Sequence, residues 1–203
     1  MTNTNKPLIL FDIDLTLIDS IRLRHTYNSQ LSYELKISIK EFNDTKDKYL
    51  NRLEKSTDFL PEDFLKHIAD THNHSYQTLQ NIYYNPENFQ DALYPDTIPA
   101  LQKLKKEYIF GIYSEGFFSF QITKLKYSGI YNYFDPDFIY IHRRKAISDI
   151  PKTLPGGTII VDDRIEALES LSQFPNLSLV WLNRKDNSIH PSIPTIQSLN
   201  ELE

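Results

Sequence analysis

One short apolar stretch near the start of the chain ends in two carboxylates, and it constrains the fold more than any other feature. Residues 8–11 are Leu-Ile-Leu-Phe, and the carboxylates of Asp12 and Asp14 follow them at once. Four apolar residues with polar flanks predict a buried strand. Alternate side chains of extended backbone leave the same face, so Asp12 and Asp14 are expected to lie together beyond that strand.

Two like charges this close are unfavourable. At a separation of about 4 Å they repel by roughly 4 kcal/mol at an effective dielectric of 20. A cation or a shared proton removes that repulsion, so the pair predicts either a metal site or an acid/base pair. The alternative is an ordinary loop after a strand, where Asp is common, and the short motif alone does not separate the two.

Composition restricts the class of protein. The 203 residues are 40% hydrophobic and 24% charged, as expected of a globular chain with room for one domain and an insertion. The net charge of -5 gives no reason to expect nucleic acid or an acidic membrane as a partner. A chain without cysteine has no disulfide, thiolate metal site or cysteine nucleophile. No apolar run approaches the ~18 residues of a membrane span, so a cytoplasmic protein is expected.

Residues 20–92 have the spacing of amphipathic helices. Apolar residues recur three or four positions apart, as at Leu23 and Tyr27. Pro61 is expected at the first position of one helix, and another helix is expected to begin after Ser75. The pattern predicts an all-helical insertion of around four helices.

After residue 92, strands alternate with helices. Strands are expected at 108–113, 138–141, 158–161 and 177–182, with helices at 97–106, 118–127, 148–154 and 164–174 and a final helical turn at 198–203. This alternation predicts a doubly wound parallel sheet, whose ligands bind beyond the carboxyl ends of the strands. We therefore expect an α/β core from residues 1–19 and 93–203, with a helical cap formed by residues 20–92.

Two of the predicted helices have capping candidates at their starts. Ser20, together with Asp19, is expected to cap the first helix of the insertion. Asp96 and Thr97 are expected to cap the first helix after the insertion. In each case a short polar side chain would satisfy backbone N–H groups of the first turn.

Polar side chains of three kinds follow the predicted strands. Ser114 comes after the second strand, Lys145 after the third, and Asp162 and Asp163 after the fourth. The carboxyl ends of parallel strands open onto one crevice, where these side chains would meet the first two carboxylates. This combination favours a site over an ordinary loop at the start of the chain.

These motifs resemble those of the haloacid dehalogenase-like (HAD) hydrolases, in particular members with a helical cap after the first core strand. The stretch from Asp12 to Ser20 is similar to the first family motif. Ser114, Lys145 and the pair 162–163 stand where the next three motifs have Ser or Thr, Lys and two acids. The resemblance implies a Rossmann-like core and Mg²⁺-dependent hydrolysis of a small phosphorylated metabolite through an aspartyl-phosphate.

The resemblance also implies a role for each motif residue. Asp12 is the nucleophile, and Asp14 by hypothesis gives a proton to the leaving alkoxide and later takes one from water. Ser114 and Lys145 hold the transferring oxygens. Carboxylates are the candidate ligands of Mg²⁺: Asp12, Asp14, Asp162 and Asp163. Of the last two, Asp163 is expected to bind directly and Asp162 through water.

Two positions depart from the family pattern. Leu15 stands where glycine is usual before Thr16, and Glu115 follows Ser114 where many relatives have a small or amide side chain. A carboxylate beside a bound phosphate is unfavourable unless it points away or meets a cationic substrate. Both departures bear on substrate preference more than on reaction type.

Other functions remain open on the sequence. A phosphomutase of the same architecture would return the phosphoryl group to its substrate, and a non-catalytic phosphate-binding module could use the same scaffold. Dehalogenase and phosphonatase relatives lack an aspartate at the position of Asp14. Several polar cap residues are candidates for substrate contact, although a solvated surface position is the simpler interpretation of each: Arg22, Arg24, His25, Arg52, Lys55, Ser56 and Thr57.

Overall fold

The computed structural model describes residues 6–145 and 148–203, and a parallel six-stranded sheet runs through them. Its strands are β1 (Leu8–Phe11), β2 (Ile109–Glu115), β3 (Ile139–His142), β4 (Thr158–Asp162), β5 (Leu177–Leu182) and β6 (Thr195–Ile196). The spatial order is β3-β2-β1-β4-β5-β6. All four residues of β1 are buried, as expected for a central parallel strand covered on both faces.

Helices cover both faces of this sheet. The core helices are α6 (Thr97–Leu104), α7 (Phe118–Tyr127), α8 (Ile150–Thr153) and α9 (Ile165–Leu171). Alternate residues of β1 enter different apolar clusters: Ile9 and Phe11 pack in one, Leu8 and Leu10 in the other. The doubly wound α/β core is therefore confirmed.

The predicted insertion forms a layer of helices. These are α1 (Ser20–Glu34), α2 (Ile39–Leu50), α3 (Pro61–His72), α4 (Tyr76–Tyr83) and α5 (Pro86–Asp91), with a 3₁₀ turn at Ser56–Asp58. The sequence predicted around four helices, whereas the structure has five, because the chain breaks between α4 and α5. Asn85 accepts a hydrogen bond from the N–H of Glu87, and Pro86 lacks the N–H that would continue α4.

The two chain segments that enter and leave the cap lie side by side. The N–H of Asp19 donates to the carbonyl of Ala92 at 2.8 Å, and Ile18 and Leu93 form an antiparallel bridge. The cap residue of α1 is Asp19 rather than Ser20, because the Asp19 carboxylate accepts the N–H of Arg22 at 2.9 Å.

Asp96 does not cap α6, which corrects the sequence prediction. Its carboxylate instead accepts two hydrogen bonds from Arg184, at 2.9 and 3.0 Å, and one from the hydroxyl of Ser198 at 2.7 Å. Arg184 also donates to the carbonyl of Thr16 at 3.0 Å. Asp96 thus joins segments that are far apart in sequence.

The remaining differences from the sequence predictions are short. Strand β2 extends to Glu115, so Ser114 lies inside the strand rather than after it. Strand β6 was not predicted, since two residues give no periodicity. The expected final turn is a 3₁₀ turn at Leu199–Glu201. Among the described residues, no helix has the length and hydropathy needed to cross a membrane.

Candidate active site

The carboxyl ends of β1 and β4 place two carboxylates around one lysine. Asp12 continues the pairing of β1, because its N–H donates to the carbonyl of Val161 at 2.9 Å. Asp162 is the last residue of β4. Lys145, in the loop after β3, donates from Nζ to Asp12 Oδ1 and to Asp162 Oδ2, both at 2.7 Å. All three side chains are buried.

Asp163 brings a third carboxylate to this group. Oxygen atoms of Asp12, Asp162 and Asp163 all lie within 4.8 Å of one another. Burial raises the pKa of Asp163 to about 7, and the charges of Asp12 and Asp162 add to the effect. Burial also raises the pKa of Asp12, to about 6, although Lys145 opposes the shift. The pKa values of both carboxyl groups are thus raised by burial first and by the neighbouring negative charges second.

The donor set fits a hard divalent cation. Three carboxylates against one ammonium leave two negative charges uncompensated, and Mg²⁺ prefers carboxylate oxygens. Both oxygens of Asp162 already accept hydrogen bonds, from Lys145 at 2.7 Å and from the N–H of Arg164 at 2.9 Å. The carboxylate of Asp163 accepts no hydrogen bond within the described part of the chain, whereas its backbone carbonyl accepts one from Trp181, so this carboxylate is the freest of the three.

Asp14 is directed away from this group of carboxylates. Lys124 of α7 donates from Nζ to both of its carboxylate oxygens at 2.7 Å, and Gln121 donates at 3.0 Å. Burial alone would raise the pKa of Asp14, but the charge and hydrogen bonds of Lys124, together with hydrogen bonds from Gln121 and Ser20, outweigh burial and hold the pKa below its usual range. Asp14 is therefore an ionised partner of Lys124, and its carboxylate is not placed with the other three metal candidates.

The turn after Asp14 has a backbone conformation that suits glycine, although Leu15 occupies this position. Leu15 has a φ of 59°, in the left-handed region that side chains disfavour and that glycine adopts readily. Its N–H donates to the carbonyl of Ile18 at 2.8 Å, which closes the turn. The leucine is thus held in a conformation better suited to the glycine of the family pattern.

Ser114 and Glu115 are both engaged by neighbouring side chains. Gln121 donates to the Ser114 hydroxyl at 3.0 Å, and Ser114 is almost completely buried. Glu115 forms an ion pair with Arg164 at 2.9 Å and accepts the N–H of Lys145 at 3.2 Å. The carboxylate that seemed unfavourable beside a phosphate is therefore balanced by Arg164, with no need for a cationic substrate.

A cap-to-core contact, which we call the latch, joins Asp58 to Arg143 and Arg144. Arg144 donates to both carboxylate oxygens of Asp58 at 2.9 and 3.0 Å, and Arg143 also pairs with Asp58. Arg144 further donates to the hydroxyl of Thr57 at 2.6 Å. The two arginines directly precede Lys145, so the latch ties the cap turn to the loop that carries the buried lysine.

A cavity of about 460 Å³ lies between the cap and the strand ends. The core side of its lining includes Asp12, Asp14, Asp163, Gln121 and Lys124, and the cap side includes Arg24, Asn28, Lys46, Ser56, Thr57 and Phe59. Of the polar cap candidates named from sequence, Arg24, Ser56 and Thr57 are among these residues. The expected nucleophile and the cap therefore share one enclosed space.

Sequence reasoning missed three core residues that organise the site: Gln121, Lys124 and Arg164. Gln121 and Lys124 are three positions apart on α7, so they share a helix face. That spacing would predict two site residues only if α7 were already known to lie beside the carboxyl ends of the strands. A lysine inside a helix, or an arginine just before one, otherwise suggests a solvated surface.

No family model and no curated protein sequence matches the chain. Solved structures do match it over nearly its whole length. A HAD phosphatase from Thermococcus onnurineus is 25% identical, covers 96% of this chain and 95% of its own, and has a TM-score of 0.61.

Two further structures have lower identity and similar coverage. A HAD-hydrolase from Bacillus subtilis bound to magnesium is 17% identical, with 97% and 96% coverage and a TM-score of 0.62. A haloacid dehalogenase-like hydrolase from Burkholderia xenovorans LB400 is 17% identical, with 96% and 94% coverage and a TM-score of 0.71.

Dehalogenases match too, among them a defluorinating L-2-haloacid dehalogenase with 17% identity, 97% and 93% coverage and a TM-score of 0.65. The chain therefore has the fold of the haloacid dehalogenase-like hydrolases, the family that its motifs resemble.

Proposed function

We propose that the chain hydrolyses the phosphate monoester of a small metabolite, with Mg²⁺ held by Asp12, Asp162 and Asp163. One observation carries the proposal. A buried lysine lies between two carboxylates at the strand ends, a third carboxylate adjoins them, and two of the three, Asp12 and Asp163, line the cavity under the cap. This arrangement supplies a nucleophile, a phosphate-binding cation and metal ligands in one place.

The first chemical step belongs to Asp12. Its Oδ1 accepts the Lys145 hydrogen bond, which leaves Oδ2 for attack on phosphorus. The new O–P bond forms as the bond from phosphorus to the leaving alkoxide breaks. Lys145 favours the ionised form of Asp12, and this matters because burial raises the pKa of that carboxyl to about 6.

The charge of the phosphate must be balanced against three carboxylates. We assign the binding of its oxygens to Lys145, which contacts Asp12, and to the hydroxyl of Ser114. Mg²⁺ bound at the carboxylates would offset their repulsion of the incoming phosphate and polarise one of its oxygens. Asp163 is the ligand with most freedom to bind it, because Asp162 is already engaged by Lys145.

Proton transfer is assigned to Asp14 together with Lys124. As a carboxylate, Asp14 is in the correct state to take a proton from the water that cleaves the aspartyl-phosphate. The earlier step needs a proton for the leaving alkoxide, and the Lys124–Asp14 pair has one to supply from Nζ. The alkoxide must then reach the pair, which lines the same cavity as Asp12.

A screen of phosphorylated metabolites tests this proposal. Release of inorganic phosphate is measured with Mg²⁺ and with a chelator, for wild type, Asp12→Asn and the exposed control Asp137→Asn. We expect activity in wild type and in Asp137→Asn with Mg²⁺, and none in Asp12→Asn or with chelator. Activity that survives Asp12→Asn would overturn the mechanism.

The same screen separates the alternatives. Conversion of a sugar phosphate to its isomer without release of phosphate would indicate a phosphomutase. Binding of phosphate esters with no turnover would indicate a phosphate-binding module. Each result can be read from product analysis of the same reactions.

Hydrolytic dehalogenation is a second candidate, with which the ion pair of Asp14 is compatible. Halide leaves carbon without a proton, so an Asp14 held as a carboxylate by Lys124 is no obstacle to that reaction. Asp12 would attack carbon, the carbon–halogen bond would break, and water would cleave the resulting ester. Halide release from a panel of 2-haloacids, without phosphate release from any ester, would support this candidate over the first.

A further inference from the structure

The cap wall of the cavity has polar side chains that the proposed reaction does not use. Arg24 and Asn28 are four residues apart on α1, so they occupy one face of that helix. Lys46 reaches the same cavity from α2. Two cations and an amide of the cap therefore line the same cavity as the expected nucleophile.

These two cations differ in their partners from Lys124 and Arg164 of the core side, and resemble Lys185, which also lines the cavity. Lys124 pairs with Asp14 at 2.7 Å and Arg164 pairs with Glu115 at 2.9 Å. By contrast, no carboxylate of residues 6–145 or 148–203 lies within 4.0 Å of the charged nitrogens of Arg24 or Lys46. Lys46 donates only to an amide oxygen, that of Asn43 at 2.8 Å. The positive charge of the cap wall is thus available to a ligand.

Asn28 gives a second and independent indication. Only 7% of the residue is exposed, yet its Oδ1 has no hydrogen-bond partner among the described residues. Leaving a buried amide oxygen unpaired costs on the order of 1–3 kcal/mol. A ligand group that donates a hydrogen bond would remove that cost, so the position favours a substrate hydroxyl or N–H group.

The size and walls of the cavity agree with a ligand larger than phosphate. Its volume of about 460 Å³ is in the range of sites for small organic molecules. Phe59, Phe117 and Phe120 line it between the two polar ends. A carbon skeleton could pack against these rings while its ends meet charged groups.

We propose that Arg24 and Lys46 bind a second anionic group of the substrate, a carboxylate or a second phosphate, while Asn28 accepts a hydrogen bond from the skeleton beside it. The proposal rests on the phosphatase function and names its substrate class as phosphate monoesters with a remote negative charge. Electrostatic attraction at the cap wall then selects these substrates over neutral phosphate esters.

Matched substrate pairs test the selection. 3-Phosphoglycerate is compared with glycerol 3-phosphate, and fructose 1,6-bisphosphate with fructose 6-phosphate, by kcat/KM at low and high salt. We expect the anionic member of at least one pair to be favoured by about tenfold, with a smaller ratio at high salt. The pair that shows the preference distinguishes a carboxylate from a second phosphate.

Substitutions in the cap wall test which residues produce the preference for anionic substrates. Arg24→Ala and Lys46→Ala should each lower the ratio several-fold, mainly through KM, whereas Lys48→Ala removes an exposed charge of α2 and should leave it unchanged. Asn28→Leu should raise the melting temperature of the ligand-free protein and lower kcat/KM. A purely structural asparagine would instead lose stability on this substitution.

The outcomes separate this proposal from the function on which it rests. Hydrolysis of all four esters without preference, or a preference unchanged in Arg24→Ala, would overturn the anion site and leave the phosphatase function standing. If no ester is hydrolysed, the phosphatase function fails, and calorimetric binding of the same compounds decides on the site. Tighter binding of the anionic members that is lost in Arg24→Ala would support it, and equal binding would refute it.

Discussion

At the scale of single residues, the site is defined by an excess of buried negative charge. Lys145 contacts Asp12 and Asp162 at 2.7 Å, but Asp163 shares the same space without a cation of its own at contact distance in the described residues. The repulsion among these carboxylates destabilises the folded protein. Together with burial, it raises the pKa values of Asp12 and Asp163, so the stability of the folded protein should depend on pH.

Asp163→Asn should reduce that dependence in protein freed of metal. The pKa of Asp163 is raised from 3.8 to about 7, first by burial and then by Asp12 and Asp162. The folded state therefore binds this proton more tightly than the unfolded state does. The contribution of Asp163 to the free energy of unfolding falls as the pH rises from about 4 to about 7.

The measurement is the melting temperature between about pH 5 and pH 8 in the presence of chelator. Wild type and the control Asp137→Asn should lose more stability across this range than Asp163→Asn. Adding Mg²⁺ at the upper end should recover the loss in wild type and not in Asp163→Asn. Parallel pH profiles for the three proteins would contradict the prediction.

Leu15 supports a second prediction at this scale. Its φ of 59° should make Leu15→Gly more stable than Leu15→Ala, by about 1 kcal/mol, because both remove the side chain but only glycine relieves the left-handed strain. At Lys48, a position inside helix α2, Lys48→Ala should instead be more stable than Lys48→Gly, since glycine in a helix is about 1 kcal/mol less stable than alanine. Urea unfolding of the four variants checks both orders.

At the scale of elements, helix α7 and the loop after β3 adapt a common fold to this site. Helix α7 supplies Gln121 and Lys124, which fix Asp14, while the loop after β3 supplies Lys145. The same loop carries the two arginines of the latch. The position of the cap is therefore coupled to the loop that places the buried lysine.

Asp58→Ala should release the latch and lower kcat/KM by on the order of tenfold, since displacement of a positioned group by about 1 Å can cost up to 10²-fold. Its folded stability should change little. Asp149→Ala breaks an exposed ion pair with Lys152 and is the matched control. Steady-state kinetics with any hydrolysed ester would test this, and an unchanged kcat/KM in Asp58→Ala would show that the latch is dispensable.

The sequence predicted the elements well where their patterns were strong. Helix α7 and strand β5 have the predicted bounds, and Pro61 begins α3 as expected. Failures occurred where tertiary contacts override local signals. Asp96 looks like a helix cap but is held by Arg184, and β6 is too short to have a period. For the site, residues at strand ends were predicted, whereas partners on helices were not.

At the scale of the whole molecule, one buried ion pair connects distant parts of the core. Asp96, 7% exposed, accepts hydrogen bonds from Arg184 and from the N–H of Leu199, and Arg184 reaches the carbonyl of Thr16. The segment after β5, the 3₁₀ turn near the end of the chain and the loop after β1 thus meet at one ion pair, that of Asp96 with Arg184.

Asp96→Ala should destabilise the protein by about 3 kcal/mol, because it leaves the Arg184 guanidinium and a backbone N–H without their acceptor. Urea unfolding measures the change, with the exposed Asp137→Ala as control. A loss below about 1 kcal/mol, as for a surface pair, would show that water replaces the carboxylate readily.

The adjacent entry and exit of the cap have a consequence for how such a chain can change. Asp19 and Ala92 are already joined by a hydrogen bond of 2.8 Å, so a turn of a few residues could replace everything between them without moving a strand. The six named strands of the sheet all lie outside the cap. The cap can thus be exchanged as a cassette, and new chemistry at its inner wall could be acquired while the core continues to fold as before.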